Sequence, residues 1–388
     1  MHLSARVLLG ACGALALLVS VTIPAAELSR PTPEVLEQIR LRLENGMPHP
    51  PSAQALAELG SSGDFASQLR AIDPYAEWFP AGRSDPVGER SGWWSGIGAD
   101  VSFEADGVRL LPYQGGPAAA AGIPDRARLV AIDGQALRSL SPDALAEQLR
   151  GKAGSMVRLT LVDENGNSET ISVRRQWVRP LDVELIGTNG RQVIRLREFL
   201  GGLSRSALLA TFSFLRDNPA AKADQQLVID LRYNPGGDLF EAFDLAGLFV
   251  PAGTVLGSLV TRAGQPREVL APAGEKIEET PILLVGPNTA SAAEIFAGTL
   301  QQLGQARLIG QPTFGKCSSQ TSIGLSDGSV LRYTNLEVLL PDLATCTGIG
   351  LDPDFVLDGD SNDDLNALIE AVRTPTGFSI EQDQPGEY

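Results

Sequence analysis

The chain has 388 residues, of which 43% are hydrophobic and 20% charged, and its formal net charge is −16. That length exceeds what one hydrophobic core usually serves, so two or more domains are expected. So acidic a protein repels phosphate backbones, which excludes nucleic acid from the expected partners.

Residues 1–26 open on a short basic stretch ending at Arg6, run apolar from Val7 to Ile23 and close on Pro24-Ala25-Ala26. This order reads as a secretory signal peptide removed before Glu27. An uncleaved membrane anchor is the alternative, although the run is short of the roughly 20 residues a span needs. The expected location is outside the cytoplasm, in the periplasm or the cell envelope. Of the three cysteines, Cys12 leaves with the signal. Cys317 and Cys346 remain as an even pair in an oxidising compartment and are expected to form a disulfide.

Residues 27–90 read as a helical lead-in. Val35, Ile39, Leu41 and Leu43 are interleaved with charge at helical spacing before Gly46 and Pro48 stop the pattern, Ser52 can cap a second helix, and a third runs from Ala66 to Ile72. Ala81 to Pro86 is a turn-rich boundary. Residues 91–178 change character: short strands around Val101, Leu110, Leu129 to Ile132, Val157 to Val162 and Thr170 to Arg174 alternate with two short helices, the second capped by Ser141. Asp133-Gly134 is a hairpin signal. Together these predict a small, partly open barrel. Residues 179–375 alternate buried strands (Val193 to Leu196, Leu227 to Leu231, Pro281 to Val285) with helices (Ser204 to Arg216, Phe240 to Phe249, Ala292 to Leu303), which is the logic of an α/β core. Residues 376–388 are polar and read as a flexible tail.

Absences narrow the chemistry. The two histidines are His2, in the signal, and His49, between prolines in the lead-in, so a serine–histidine–aspartate triad has no base near the core. Without clustered His or Cys no metal site is expected. With neither a P-loop nor a Gly-x-Gly-x-x-Gly turn no cofactor is expected. Ser291, in contrast, follows an apolar strand and a tight loop and opens a helix, where backbone N–H groups and the helix dipole can face an oxyanion; taken alone it could equally be a helix cap. Lys316 is one of four lysines and follows the apolar pair Leu308-Ile309. An amine forced into such surroundings loses its proton more easily and can serve as base to a serine, although a solvated loop lysine has the same sequence. Gln320, four residues on, could orient the amine. A second loop, Asp230 to Gly237, ends a buried strand in two glycines, and Gly236 or Gly237 could supply an oxyanion donor opposite the N–H of Ala292.

Three blocks resemble the carboxy-terminal processing (tail-specific) peptidase family: Leu231-Arg232-Tyr233-Asn234-Pro235-Gly236-Gly237, Ala290-Ser291-Ala292-Ala293-Glu294, and Gly310 to Lys316 extending to Gln320. Gly348 to Asp354 resembles the family's closing block, Asp73-Pro74-Tyr75 its short Asp-Pro motif, and Gly96-Ile97-Gly98, Gly116-Pro117-Ala118 and Ile132-Asp133-Gly134 its PDZ domain. The resemblance implies a crotonase-like α/β protease core of the ClpP type with an inserted PDZ domain. It implies a Ser291–Lys316 pair with Gln320 as third catalytic residue, no metal or cofactor, and cleavage of protein substrates near exposed apolar C-terminal tails. Gly96, Ile97, Gly98 and Ala99 are then the candidate loop for the tail carboxylate. Whether an adaptor protein is needed, and whether the chain forms a homo-oligomer through its lead-in, stays open. The family rarely has cysteine where Cys317 stands. The alternative function is a non-catalytic PDZ and crotonase-like binding or scaffold protein.

Overall fold

The computed structural model describes residues 30–61, 63–82, 94–104, 107–113, 115–137, 142–163, 166–179, 182–188, 191–218 and 227–357. The signal at 1–26, the boundary at Asp85-Pro86, the cap at Ser141 and the tail at 376–388 lie outside them.

Three helices open the described chain: α1 (Pro33–Gly46), α2 (Ala53–Glu58) and α3 (Phe65–Ile72). Each starts on a side chain that accepts from a first-turn N–H lacking a helical partner: Thr32 from Val35, Ser52 from Ala55, Asp64 from Ser67. Their apolar stripes do not close on one another alone. Val35, Ile39, Leu43 and Leu69 share one cluster with Leu325, Leu331 and Tyr333, nearly 300 residues further on. The strand β1 (Glu77–Phe79) follows and pairs with that same distant region.

The middle unit comprises β2 (Trp94–Gly96), β3 (Ala99–Glu104), β4 (Gly107–Pro112), α4 (Pro117–Ala120), β5 (Ala127–Ile132), β6 (Gln135–Ala136), α5 (Pro142–Leu149), β7 (Met156–Val162), β8 (Ser168–Arg174) and β9 (Gln176–Val178). Its antiparallel sheet runs β3-β4-β5-β7-β8, so the expected barrel is an open sheet with β3 at one edge. Asp133 and Gly134 both have positive φ, 49° and 84°, which makes them the hairpin turn between β5 and β6. β2 and β9 form a ladder of their own, pairing Trp94 with Val178. The chain therefore enters and leaves this unit side by side, as an insertion must.

The remaining unit contains β10 (Val183–Thr188), β11 (Arg191–Leu196), α6 (Ser204–Asp217), β12 (Val228–Asp230), α7 (Leu239–Ala246), β13 (Val255–Val260), β14 (Arg267–Leu270), β15 (Ile282–Val285), α8 (Ala292–Gln302), β16 (Arg307–Gly310), β17 (Ser318–Gly324), β18 (Val330–Leu339) and β19 (Phe355–Val356). One sheet runs β10-β11-β12-β15-β16-β19 and is parallel from β11 onward. Side chains alternate across it: Ile194, Ile229, Leu283 and Leu308 join the large core with Leu208, Phe243 and Phe296 of the helices, while Val193, Val228, Leu284 and Ile309 form a second cluster on the opposite face. The α7 helix ends at Ala246 and tightens into a 3₁₀ turn over Gly247–Phe249, shorter than the sequence pattern suggested.

A further sheet, β1-β18-β13-β14 with β17 on the free side of β18, was not expected from the sequence. The segment Ser318–Gly324 is polar at nearly every position, so neither face announces itself as apolar.

Candidate active site

The parallel strands β12, β15 and β16 deliver three loops to one end of the sheet. The loop after β15 is pinned to the loop after β12: Thr289 Oγ1 donates to Leu231 O at 2.8 Å, and Ala290 N donates to Asn234 O at 3.0 Å. It ends at Ser291, the N-cap of α8, with φ 58° and ψ −123°. A non-glycine residue held at positive φ is uncommon and persists only where its surroundings impose it. Here Glu294 does so, accepting the Ser291 N–H at 2.9 Å.

Glu294 is fully buried and also holds the third loop. Its Oε1 accepts from Thr313 Oγ1 and Gly315 N, both at 2.6 Å, and its Oε2 accepts from Lys316 N at 2.7 Å. One carboxylate thus fixes the backbone of Ser291 and of Lys316 together. Sequence reasoning did not single it out as a site residue. A Glu three positions after a serine is a capping-box pattern, and that was the available signal.

The glycine loop is set by Asn234, whose Nδ2 donates to Leu196 O and whose Oδ1 accepts from Gly236 N at 2.8 Å. This corrects one expectation: the Gly236 N–H is already bonded and cannot serve an oxyanion. Gly236 instead supplies space. Its φ is 107°, and a Cβ there would lie 2.8 Å from the Cβ of Ser291 and 2.9 Å from the N of Ala292. Gly237 bridges Phe199 through its neighbours, with Phe199 N donating to Gly236 O and Asp238 N to Phe199 O. In such a parallel bridge the N–H of Gly237 itself points the other way, toward the cleft. Ala292, in the first turn of α8, likewise has an N–H without a helical partner.

Ser291, Ala292, Gly237, Lys316 and Gln320 all line one cleft of about 620 Å³, together with Tyr75 from the lead-in. Tyr75 donates its hydroxyl to Gly315 O at 3.2 Å, and the Lys316 Nζ lies 5.0 Å from its ring centroid. Burial, then the carboxylates of Glu294 and Asp73, push the Tyr75 hydroxyl pKa up, so it stays a protonated donor. Asp73 explains the Asp-Pro motif: it accepts from Tyr75 N and from Thr334 N and Oγ1. Thr334 Oγ1 in turn accepts from Gln320 Nε2 at 3.3 Å, and Ser318 Oγ accepts from the same nitrogen at 3.1 Å. A bulge at Asn335 in β18 brings Thr334, rather than Asn335, opposite Gln320.

Cys317 and Cys346 form a disulfide next to Lys316 in the chain. The two segments are also joined by Gly348 N donating to Gly315 O and Leu351 N to Thr313 Oγ1.

In the middle unit, Ile97 O accepts from Ala118 N and Gly98 O from Tyr113 N. Planar peptides then turn the N–H groups of Gly98 and Ala99 to the opposite side, at the head of edge strand β3. Gly96 belongs to the β2–β9 ladder, which places it at the hinge of the insertion. The next residues of β3 dock on the core: Asp100 binds Arg197 at 2.8 Å, and Ser102 Oγ accepts from Asn288 Nδ2 at 3.1 Å, three residues before Ser291. Arg195 joins Asp125 of the middle unit to the buried Asp230, and Arg126 stacks on Tyr233 in the glycine loop.

Residues 192–357 match the model of peptidase family S41, and residues 110–163 match that of a PDZ domain. The chain is 29% identical over 302 residues to the "Probable CtpA-like serine protease" of Staphylococcus aureus (strain COL), an alignment that takes in 76% of this chain and 59% of the relative. The protein of the same description from Staphylococcus saprophyticus is 27% identical over 317 residues, covering 80% and 63%. The chain thus spans about three fifths of the length of these curated relatives. Among solved structures, the photosystem II D1 C-terminal processing protease superposes with a TM-score of 0.61 at 22% identity, over 89% of this chain and 98% of that one. An S41 protease from Bacteroides fragilis gives 0.56 at 18%, with the same coverage. At these identities the likeness is one of fold.

Proposed function

We propose that this chain is a serine endopeptidase cutting protein substrates near their C-termini, a reading supported by the matches of residues 192–357 to the model of peptidase family S41 and of residues 110–163 to that of a PDZ domain. The observation that carries the reading is the meeting of Ser291, Lys316 and the N–H groups of Gly237 and Ala292 in one cleft. In this reading the core is crotonase-like, the protein acts outside the cytoplasm, and its partners are proteins with exposed apolar tails, with or without an adaptor.

The tail adds as a strand to the free edge of β3, its carboxylate against the N–H groups of Gly98 and Ala99. Neutral Lys316 takes the proton from Ser291 Oγ as that oxygen bonds to the scissile carbonyl carbon. The N–H groups of Gly237 and Ala292 hold the resulting oxyanion. Collapse breaks the C–N bond, and the Lys316 ammonium returns its proton to the leaving amine. Water, deprotonated by the same lysine, then frees the acyl group and restores Ser291. Gln320 has its amide nitrogen committed to Ser318 and Thr334, so its Oε1 is the atom that accepts a hydrogen from the lysine amine.

The test is cleavage, followed by mass spectrometry, of a protein ending in an apolar unstructured tail. The parent is expected to cut it, with Ser291→Ala and Lys316→Ala both reducing kcat at least about 1,000-fold. Because only the unprotonated amine is a base, kcat/KM should rise with pH through the folded pKa of Lys316 and then level off. A rate independent of pH across the neutral and alkaline range rules the lysine out as base. Labelling of Ser291 by a serine-reactive probe, without turnover of any tail, would mark an enzyme waiting for a different substrate rather than a binding protein.

A further inference from the structure

The cleft is cationic in an acidic protein. Arg70, Lys316 and Arg332 line it, against the single carboxylate of Glu77, while the whole chain carries a net charge of −16. Both arginines line this one cleft, and sheet register fixes where Arg332 lies in it. Gln320 is opposite Thr334, and two residues along each strand Ser322 is opposite Arg332. Two residues of strand advance about 7 Å and return to the same face. Arg332 is in turn opposite Glu77 of β1 and bonded to it at 2.6 Å. Arg70, exposed at the end of α3, has no ion-pair partner among the described residues. Among the described residues that line the cleft, two arginines thus meet one carboxylate, and Arg70 also acts on the charge of Asp64.

We propose that Arg70 and Arg332 form a subsite for an acidic side chain of the substrate, so that this protein selects chains carrying Asp or Glu at a fixed position to one side of the scissile bond. The inference rests on the peptidase reading for the word substrate, but the subsite can be examined without turnover. Glu77 fixes the geometry by holding Arg332 on the β1 side. Arg70 then meets the incoming carboxylate directly, and both partners remain solvated. Exposed pairs of this kind change affinity by about two- to fivefold. Salt should erode the preference, because the charges lie within reach of mobile ions.

The experiment uses peptides that share one apolar C-terminal tail and differ only by Asp, Asn or Lys at single positions on either side of the cut. Fluorescence anisotropy gives their affinities for the full chain carrying Ser291→Ala, and cleavage by the parent gives kcat and KM. At one or two neighbouring positions the expected order is Asp over Asn over Lys, by about two- to fivefold per step, seen in Kd and KM and not in kcat. Arg70→Glu should invert that order. Affinities that ignore charge at every position overturn the subsite, as does an order that Arg70→Glu leaves intact. A charge order that Arg70→Glu inverts, found with neither cleavage of any peptide by the parent nor labelling of Ser291 by a serine-reactive probe, sustains the subsite and sinks the peptidase reading instead.

Discussion

An ionised carboxylate offers about four lone-pair sites, and Glu294 fills four of them with donors of this protein: Ser291 N, Thr313 Oγ1, Gly315 N and Lys316 N. Nothing but a carboxylate can accept all four. In a Glu294→Gln variant the amide NH₂ faces donors instead of accepting from them, which leaves two of the four donors unpaired. Each charge-assisted bond lost costs about 1.5–3 kcal/mol. The variant should therefore lose stability by about 3 kcal/mol or more in urea unfolding, and under the proposed function its kcat should fall further than its KM rises, because the loops of Ser291 and Lys316 lose their common anchor. This role was beyond the sequence. A Glu at the third helical position is worth a capping box locally, and its bonds to residues 313–316 exist only once the chain has folded. Ser291 and Lys316 were singled out by the resembling blocks that contain them, since a small loop before a helix and a lysine after an apolar strand fit a helix cap and a solvated side chain equally well. The N–H of Gly236 was misassigned for the opposite reason: the side chain of Asn234, two residues back, claims it.

Among the elements, β12 carries the most concentrated charge. Asp230, at its end, is buried, and burial alone would raise its pKa. Arg232, and after it Arg195, more than reverse that and hold the carboxyl below the usual carboxylate range. Asp230 therefore contributes stability fully present above its unfolded pKa, near 4, and lost as pH falls through the lower folded value. In urea titrations between about pH 5 and pH 2, the parent should lose midpoint steadily, and Asp230→Asn should show a shallower slope. At neutral pH the variant should be about 3–5 kcal/mol less stable, since two arginines are left buried without their anion. The parallel strands themselves were readable as continuous apolar runs. The β17–β18 hairpin was not, because its polar residues face a cleft on one side and helices α1 to α3 pack only part of the other.

At the scale of the molecule, the middle unit sits on the core through polar contacts. Arg197 is buried and reaches Asp100, the carbonyl of Pro112 and the ring of Tyr113, while Glu184 of the core holds its Nε at 3.0 Å. Burial and the Asp100 charge keep the Tyr113 hydroxyl protonated by raising its pKa well above the ordinary value. Arg197→Ala removes the core's grip on two strands at once. It should raise hydrogen exchange across residues 94–113 and lower kcat/KM for a tailed protein substrate more than for a short tail-less peptide. Unchanged exchange in that region would mean that Arg195 and Arg126 suffice to seat the unit. The order of units was legible from composition and turn signals. Their seating was not, because it depends on Arg195 at the end of β11, Arg197 just past it and Arg126 of the middle unit, which a sequence shows only as surface charge.

The lead-in helices close on Leu331 and Tyr333, Gln38 bonds Ser326 across 288 positions of chain, and Asp73 and Tyr75 fasten the loops of Gln320 and Lys316. Synthesis begins at the other end. The first helices to emerge must wait, with their apolar stripe uncovered, until almost the last strand of the core has been made, and contacts of such separation form slowly. The loop of Lys316 cannot be fully seated before then. Under the proposed function, a growing chain therefore lacks its general base, and the capacity to cut arrives only once β18 has been made.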